Sequence, residues 1–387
     1  MQSTWLVSEE HHGYAIDDPF DLLSPSLLIF RDLVRKNVGD MITMARSPDR
    51  LRPHVKTHKM AAIVRMAAEL GISKHKCATI AEAEMVAASG GTDVLLAYPL
   101  VGPNLLRWSR SIRAYPGTTF RAIVDHPDSA RALSEAVQEL DRPVPVLVDL
   151  EVGMGRTGIE PGAAAAALYA LIARLPNLEA DGLHAYDGHI NETDFEARRK
   201  SVRAVQEVTL TLRERLLRQG LPVPRMVLGG TPSFPVHAGL DVPGVECSPG
   251  TIVLYDHGYA TRFPDLTFTP AALLLTRVVS RPRPGRICLD LGHKAVAADP
   301  VGPRVHLIDV PEARIVGHGE EHLVVDTPTA DRYPVGTCIL AIPTHICPTS
   351  ALHRRTYVIA GGRLVDEWQA TPLTLLIAVP WKALSPV

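Results

Sequence analysis

The segment 52–59, with the sequence RPHVKTHK, places two lysines, two histidines and an arginine at the end of an early predicted strand. The neutral amine of a lysine attacks a carbonyl group to form a Schiff base, and neighbouring positive charges favour that neutral form. The segment therefore predicts a reactive lysine, Lys56 or Lys59, that binds a carbonyl-bearing cofactor. Judged by spacing alone, a solvated basic end of a strand is the alternative.

Two loops further along the chain combine glycines with hydroxyl groups, at 229–233 (GGTPS) and 249–251 (PGT). Backbone N–H groups in such loops, together with a helix N-terminus, bind phosphate groups. Each loop taken alone is more often an ordinary turn. Because they follow the seventh and eighth predicted strands, the two loops together indicate a phosphate site.

Two other loops carry side chains suited to holding an aromatic ligand. In the glycine-rich segment 149–158, Arg156 has the planar fork that binds a phenolate or a carboxylate. In the segment 184–189 (HAYDGH), Tyr186 is placed to contact a ring, and His189 is a candidate acid or base. The alternatives are a surface arginine in a turn and a structural histidine.

His345 and Cys347 place an imidazole and a thiol two residues apart. In an extended strand this spacing puts both side chains on one face, which predicts joint binding of a divalent metal with open positions for water or substrate. His318, Glu321 and His322 are candidates for further ligands or a proton acceptor. A buried cysteine that acts only as a small hydrophobe is the alternative.

The elements that position these residues follow an alternating pattern between residues 50 and 250. Short apolar runs alternate with helical stretches, which is typical of βαβ units around a parallel sheet. A (β/α)₈ barrel fits this pattern, and a doubly wound open sheet is the alternative. The eight predicted strands are 51–55, 73–78, 93–97, 120–125, 145–150, 182–186, 226–229 and 245–248.

Three of the helices have readable ends. Thr79 and Glu82 form a capping box before a helix over 80–88, which Gly90 and Gly91 end. A second helix is predicted over 161–175, between two prolines. A third, over 201–218, has a buried stripe at positions 202, 205, 208, 212 and 216.

After residue 262 the pattern changes to strand-like runs separated by Pro, Gly and Asp turns, which predicts a second, all-β domain. We assign residues 25–262 to the barrel, and residues 1–24 and 263–387 to the β-domain with the metal pair. Arg198, Arg199, Lys200, His11 and His12 are interpreted as solvated. The predicted strands of the β-domain are 271–279, 285–290, 304–309, 321–325, 338–342, 357–360 and 363–368.

Composition narrows the classes of partner. The 387 residues carry 40 basic and 42 acidic side chains without a long basic run, which argues against nucleic-acid binding. Five dispersed cysteines do not resemble a disulfide framework; those other than Cys347 are interpreted as core residues. The N-terminus lacks a signal-peptide pattern, and the apolar runs are too short for a membrane span. We therefore expect a cytoplasmic protein with a small-molecule partner.

Together these motifs resemble the D-threonine aldolase and D-serine dehydratase family of pyridoxal-phosphate enzymes, which shares its barrel and β-domain with alanine racemase. The resemblance covers nearly the whole chain and is closest to the D-threonine aldolase-like branch. It implies pyridoxal 5'-phosphate, a divalent metal and a homodimer. The motifs that carry it lie at 52–59, 76–84, 184–189, 229–231, 246–251 and 345–349.

By this resemblance, Lys56 rather than Lys59 is the Schiff-base lysine. Arg156 is expected near the phenolic oxygen of the cofactor. His345 and Cys347 fall on the metal pair of the family, where the best-known aldolases have an aspartate at the second position and dehydratases use His-x-Cys with zinc. The residues implied to line the ring and the phosphate are Tyr186, Gly230, Thr231, Gly250 and Thr251.

The expected activity is metal-assisted cleavage of D-threonine, a β-hydroxy-D-amino acid, into glycine and acetaldehyde. His322 or a metal-bound water is the expected base. The alternatives are a dehydratase of D-serine or 3-hydroxy-D-aspartate, which forms a keto acid and ammonia, a non-catalytic cofactor carrier and a racemase. Thiolate with imidazole favours zinc, although manganese is also compatible.

Overall fold

The computed structural model describes residues 13–372, which form two compact units. One unit runs from the start of the described chain to Val38 and resumes at Thr251–Ala370. The other comprises Gly39–Gly250, with Thr371 at the end of the described chain. Each unit is built around a sheet of its own.

The Gly39–Gly250 unit contains seven strands that pair in sequence order, each parallel to the next. Most of their residues are buried, as in a sheet covered on both faces. This arrangement confirms the predicted barrel class. The strands are β2 (Lys74–Cys77), β3 (Asp93–Leu96), β4 (Thr119–Val124), β5 (Val144–Leu150), β6 (Leu178–Ala185), β7 (Arg225–Leu228) and β8 (Val245–Cys247).

The segment predicted as the first barrel strand joins the two edges of this sheet without forming a regular strand. Leu51 bridges Cys247 on β8, and His54 bridges Lys76 on β2. The Lys76 N–H donates to the carbonyl of Pro53 at 2.9 Å. Because Pro53 has no N–H to give in return, the ladder is interrupted there. The segment nevertheless closes the sheet into a ring.

Most of the helices connect these strands, and a side-chain cap marks where some of them begin. The Thr79 hydroxyl accepts from the Glu82 N–H at 3.2 Å, as the capping pattern predicts. The second predicted helix begins at Ala163, after Gly162, rather than at Pro161. The third begins at Phe195 rather than at residue 201, because Asp194 caps it. The helices are α1 (Arg31–Ala45), α2 (Ala61–Glu69), α3 (Ile80–Ala88), α4 (Pro103–Ala114), α5 (Pro127–Ala136), α6 (Ala163–Ile172), α7 (Phe195–Arg218) and α8 (Phe234–Ala238).

Two predictions about α7 are wrong. Val208 is exposed rather than buried, although the other four members of the predicted stripe are buried. Arg198, interpreted as solvated, is fully buried. Its guanidinium donates to the carbonyls of Pro232 at 3.0 Å and Glu192 at 2.8 Å, so that backbone acceptors replace water. The prediction for His11 and His12 lies outside the described residues.

The other unit contains a nine-stranded, mostly antiparallel sheet, as predicted for the β-domain. β1 pairs with strands of this sheet, so the segment from residue 25 lies here rather than in the barrel. The sequence did not predict β12. The strands are β1 (Ser26–Phe30), β9 (Ala272–Arg283), β10 (Arg286–Leu289), β11 (Val305–Leu307), β12 (Arg314–His318), β13 (Leu323–Asp326), β14 (Cys338–Pro343), β15 (Arg355–Ala360) and β16 (Arg363–Gln369).

The core of this unit lies on the central strands. Leu28 and Phe30 pack with Leu273, Leu275 and Leu340 in one buried cluster. Two short helices complete the unit, α9 (His257–Arg262) and α10 (Ile346–Leu352). Across residues 13–372 of both units, we find no helix with the length and apolarity that a membrane crossing requires.

Candidate active site

Lys56 lies in a short 3₁₀ helix, Val55–Thr57, directly after the segment that closes the barrel. His54 caps this turn, because its Nδ1 accepts from the Lys56 N–H at 3.2 Å. The half-buried Lys56 amine lies 5.8 Å from the centre of the Tyr186 ring. Lys59, by contrast, is buried in an ion pair with Glu82. The two lysines of this segment therefore have different surroundings, and Lys56 is the one at Tyr186.

Three cationic side chains surround the ring of Tyr186, at the end of β6. The amines of Lys56 and Lys76 lie 5.8 and 5.5 Å from the ring centre, and the guanidinium carbon of Arg156 lies at 5.2 Å. These distances are within the range of cation–π attraction. The aromatic ring and the cations together form a surface suited to a planar anionic ligand.

Sequence reasoning did not single out Lys76 as a site residue. It lies on β2 and is only 2% exposed. Burial, followed by the charge of Lys56, lowers the pKa of Lys76 to about 7. A lysine within a short buried run, Lys74–Cys77, was the available signal, since such a lysine needs a partner or a function.

A buried polar triad lies beside Tyr186. Asp149, near the end of β5, is 2.6 Å from His184 Nδ1 and accepts from the Thr157 hydroxyl at 3.0 Å. Burial lowers the pKa of His184, although Asp149 opposes the shift. His184 Nε2 is buried and has no hydrogen-bond partner among the described residues. These three residues line a small cavity together with Arg156 and Tyr186.

The loop after β7 is held by a second buried network. The Ser233 hydroxyl accepts from the Gly230 N–H at 3.1 Å and donates to Asp187 at 2.7 Å. The other oxygen of Asp187 lies 2.8 Å from His237 Nε2. A Cβ atom on Gly230 would lie 3.2 Å from the Tyr186 ring, so glycine permits this close approach.

The loop after β8 lies against the loop after β7. The Gly250 N–H donates to the Thr231 hydroxyl at 3.3 Å. A Cβ atom on Gly250 would lie 3.1 Å from that of His54, so the chain runs close to the turn that carries Lys56. The structure thus brings Gly230, Thr231 and Gly250 together, as the phosphate-site prediction requires. Thr251 begins the other unit, where its hydroxyl lies 3.5 Å from Cys347 Sγ.

The prediction that His345 and Cys347 share the face of an extended strand is wrong. His345 is the residue before α10, and Cys347 lies in the first turn of that helix. The helical turn still brings the two side chains into hydrogen-bonding contact. His345 Nδ1 also lies 2.6 Å from the carboxylate of Asp299. Burial lowers the pKa of His345, but Cys347 and Asp299 outweigh it and raise the pKa to about 9.

The other candidate histidines are not assembled with this pair. Within residues 13–372, no group of three or more His, Cys, Asp or Glu side chains is arranged to hold a metal. His322 is exposed in the turn before β13, where its carbonyl accepts from Gly319. His318 is half-buried, and burial lowers its pKa to about 4. His189 is exposed and lies over Gly153, where an added Cβ would be 2.5 Å from His189 Nε2.

The sequence has relatives of known activity. Residues 29–254 match the family model described as alanine racemase, N-terminal domain, and residues 271–359 match that of a putative serine dehydratase domain. D-threonine aldolase of an Arthrobacter species is 28% identical over 351 residues, which cover 89% of this chain and 91% of that protein. D-threo-3-hydroxyaspartate dehydratase of a Delftia species is 26% identical over 382 residues, which cover 91% of this chain and 98% of that protein.

Solved structures give the same result. The crystal structure of D-threonine aldolase from Filomicrobium marinum superposes with a TM-score of 0.84 at 30% identity. The match covers 91% of this chain and 96% of that one. Aldolases and a dehydratase are thus both among the relatives of this chain.

Proposed function

We propose, from the premise that this chain belongs to the family of the alanine racemase N-terminal domain, that it is a pyridoxal-phosphate- and metal-dependent lyase for β-hydroxy-D-amino acids. Our first candidate within this class is a D-threonine aldolase, which splits D-threonine into glycine and acetaldehyde. Relatives at 28% and 26% identity include an aldolase and a dehydratase, so the products formed must decide between the two.

The residues around Tyr186 fit the cofactor, and this fit is the observation that carries the proposal. Pyridoxal phosphate requires an amine for its aldehyde, a surface for its ring and a cation near its phenolic oxygen. Lys56, Tyr186 and Arg156 supply these groups within 6 Å of one ring centre. His184 Nε2 is a buried polar atom without a hydrogen-bond partner in residues 13–372, and a bound ligand would satisfy it.

Each of these side chains has a defined task in the proposal. The Lys56 amine holds the cofactor, while the ion pair with Glu82 makes Lys59 unsuitable for this role. Asp149 fixes the ring of His184, so that His184 Nε2 faces the ligand. The loops with Gly230, Thr231 and Gly250 hold the phosphate through backbone N–H and hydroxyl groups, and we place Thr251 with them.

The donor set of the β-domain fits a divalent metal. An imidazole and a thiol that contact each other are ligands suited to zinc, and manganese is the alternative. In the proposal His345 and Cys347 bind this metal, and Asp299 holds the imidazole. Two protein ligands leave coordination positions open, as in catalytic rather than structural sites.

When bound, pyridoxal phosphate accepts the electron pair released at the substrate α-carbon, and the metal acts as a Lewis acid on the β-hydroxyl. The protein must orient the Cα–Cβ bond and accept the hydroxyl proton. His322 is our candidate for the second task in the aldolase, and His189 is an alternative acid or base. Because His322 is exposed, a proton that it accepts can pass on to solvent.

Dehydration of D-serine or a 3-hydroxy-D-aspartate is the second candidate function, and Cys347 is the residue that favours it. By resemblance, the His-x-Cys pair is the form found in dehydratases. In this reaction the Lys56 amine would remove the α-proton and hydroxide would leave from the β-carbon, giving a keto acid and ammonia.

The resemblance further suggests a homodimer, and sedimentation should then give about twice the chain mass of 42.0 kDa.

A product assay tests the proposal directly. The protein, loaded with pyridoxal phosphate and zinc or manganese, is offered D-threonine and D-serine separately, with and without a chelator. We expect acetaldehyde and glycine from D-threonine, lost on chelation. A keto acid and ammonia instead would identify the dehydratase. No turnover of either substrate would favour the cofactor carrier.

The Cys347→Ala variant separates a lyase from the functions that need no metal. We expect it to lose metal and more than 90% of lyase turnover, because one ligand of two is removed. Borohydride reduction should still fix the cofactor to Lys56, as identified by peptide mass spectrometry. Full lyase turnover in this variant would contradict the metal-binding role of Cys347, whereas racemisation or cofactor binding that is kept without any cleavage would indicate a racemase or a carrier. Lys59→Ala is the matched control for trapping and should still label Lys56.

A further inference from the structure

Lys76, on β2, is a second lysine beside the ring of Tyr186. Its N–H donates to the Pro53 carbonyl at 2.9 Å, and it bridges His54 across the closure of the barrel. The side chain is almost fully buried, and its amine lies 5.5 Å from the centre of the Tyr186 ring. The amines of Lys56 and Lys76 therefore reach the same ring from two adjacent segments.

Two carboxylates, Asp187 and Asp149, act on Lys76 through their negative charge and raise its pKa, but both are held by other side chains. Asp187 is bound by Ser233 and His237, and Asp149 is bound by Thr157 and His184. In the described part of the chain, no carboxylate lies within ion-pair distance of the Lys76 amine. Lys74, two residues earlier on the same strand, is paired with Glu246 at 3.0 Å. Among the residues that the structure describes, β2 thus carries one lysine paired with a carboxylate and one that lies beside the Tyr186 ring without such a partner.

Such surroundings suit proton transfer. Burial and the nearby charge of Lys56 lower the pKa of Lys76 to about 7, so both protonation states are populated near neutral pH. A group that both gives and takes a proton is most effective when its pKa is close to the working pH. Among the described residues, no ion pair with a carboxylate holds the Lys76 amine in its charged form.

We propose that Lys76 is a second catalytic amine, which transfers a proton to and from the substrate α-carbon, whereas the task of Lys56 is to hold the cofactor before the substrate binds. The inference rests on the proposed function. When the Cα–Cβ bond of the substrate breaks, its electron pair remains with Cα and the hydroxyl proton passes to solvent. The Lys76 ammonium then protonates Cα to give glycine, and the resulting amine recovers a proton from solvent. One proton leaves the substrate and one enters, so the reaction balances.

Exchange of the α-hydrogen with D₂O isolates this proton transfer from cleavage of the carbon bond. Glycine, which has no β-hydroxyl, is incubated with the holoenzyme, and loss of the α-proton signal is followed by NMR. We expect exchange to fall by about 10²-fold or more in Lys76→Gln. Lys76→Arg should fall equally, because a permanent cation cannot transfer the proton. Lys74→Gln, the matched control on the same strand, should exchange like the wild type.

The outcomes separate this inference from the function on which it rests. Exchange that persists in Lys76→Gln, or is rescued in Lys76→Arg, would overturn the inference and leave the lyase assignment intact. Failure to trap the cofactor on Lys56 of the wild type would overturn both. In each variant, borohydride trapping on Lys56 shows that the pocket is folded and loaded.

A measurement on the wild type requires no variant to fold. The apoprotein is acylated with a small anhydride across a pH series, and each lysine is quantified by peptide mass spectrometry. Lys76 should reach half-maximal acylation near pH 7, well below an ordinary lysine, which loses its proton near pH 10. Half-maximal acylation of Lys76 near pH 10 would overturn the inference.

Discussion

At the scale of single residues, the contact between His345 and Asp299 gives the metal proposal its sharpest test. The carboxylate lies 2.6 Å from His345 Nδ1, which leaves Nε2 as the nitrogen for a metal. A carboxylate in this position fixes the tautomer and the orientation of a ligating imidazole. Asp299 is therefore expected to act through His345 rather than as a ligand itself.

We predict that Asp299→Asn weakens zinc binding by about 10- to 100-fold, because the imidazole loses its oriented partner. The dissociation constant is measured by competition with a chromophoric chelator. Glu321→Gln, an exposed carboxylate paired with Lys294, is the control and should bind zinc like the wild type. Equal zinc affinity in Asp299→Asn would show that Asp299 does not support the metal site.

How far the sequence predicts the site depends on the type of signal each residue carries. The loops at Gly230 and Gly250 were predictable, because glycine and hydroxyl residues at strand ends are a local pattern. The positions of Lys76 and Asp187 were not, since their roles come from neighbours distant in the chain. His345 and Cys347 were identified as a pair, but the geometry assumed for them was wrong. The spacing of two residues also allows contact across the first turn of a helix.

At the scale of the elements, β2 carries a buried histidine that makes the barrel sensitive to acid. His75 is 2% exposed, and neither ring nitrogen has a hydrogen-bond partner within the described chain. Burial, and secondly the charge of Arg52, lower the pKa of His75 to about 4. The unfolded chain, with a pKa near 6.5, therefore binds the proton first as the pH falls.

We predict that His75 costs the fold about 2 kcal/mol of stability between pH 8 and pH 5. Stability is retained above about pH 6.5 and is lost as the pH falls towards 4. His75→Leu removes the titrating group. The free energy of unfolding of this variant, relative to that of the wild type, should therefore rise by about 2 kcal/mol from pH 8 to pH 5. Urea unfolding at pH 8, 6.5 and 5 measures this difference. Parallel curves for the two proteins would contradict the assignment.

Most elements could be predicted because most strands contain a short apolar run of their own, although β2 (KHKC) does not. Seven of the eight predicted barrel strands match β2 to β8, with ends shifted by a few residues. The first differs because Pro53 breaks its ladder, an effect of pairing rather than of the run itself. β12 was missed, since its half-exposed residues form no apolar run. Val208 was misassigned because helical periodicity cannot show which edge of a stripe reaches solvent.

At the scale of the whole molecule, the division into two units separates the proposed ligands. Lys56, Arg156 and Tyr186, which we assign to the cofactor, belong to the Gly39–Gly250 unit. His345 and Cys347, which we assign to the metal, belong to the Thr251–Ala370 part of the other unit. A ligand stabilises the structure that binds it in proportion to the logarithm of its concentration over the dissociation constant. The two ligands should therefore protect different segments.

We predict that pyridoxal phosphate, added to the apoprotein at about 100 times its dissociation constant, stabilises the folded state by about 2.7 kcal/mol. Hydrogen exchange followed by mass spectrometry should show slower exchange in β2, β6 and the loops after β7 and β8. Zinc added alone should instead slow exchange around α10 and β14. Lys56→Ala is the matched control, because it should lose most of the effect of the cofactor and keep that of zinc. If pyridoxal phosphate slowed hydrogen exchange equally in Lys56→Ala and in the wild type, the cofactor would bind elsewhere. The roles proposed for the Lys56 and Lys76 amines would then lose their basis.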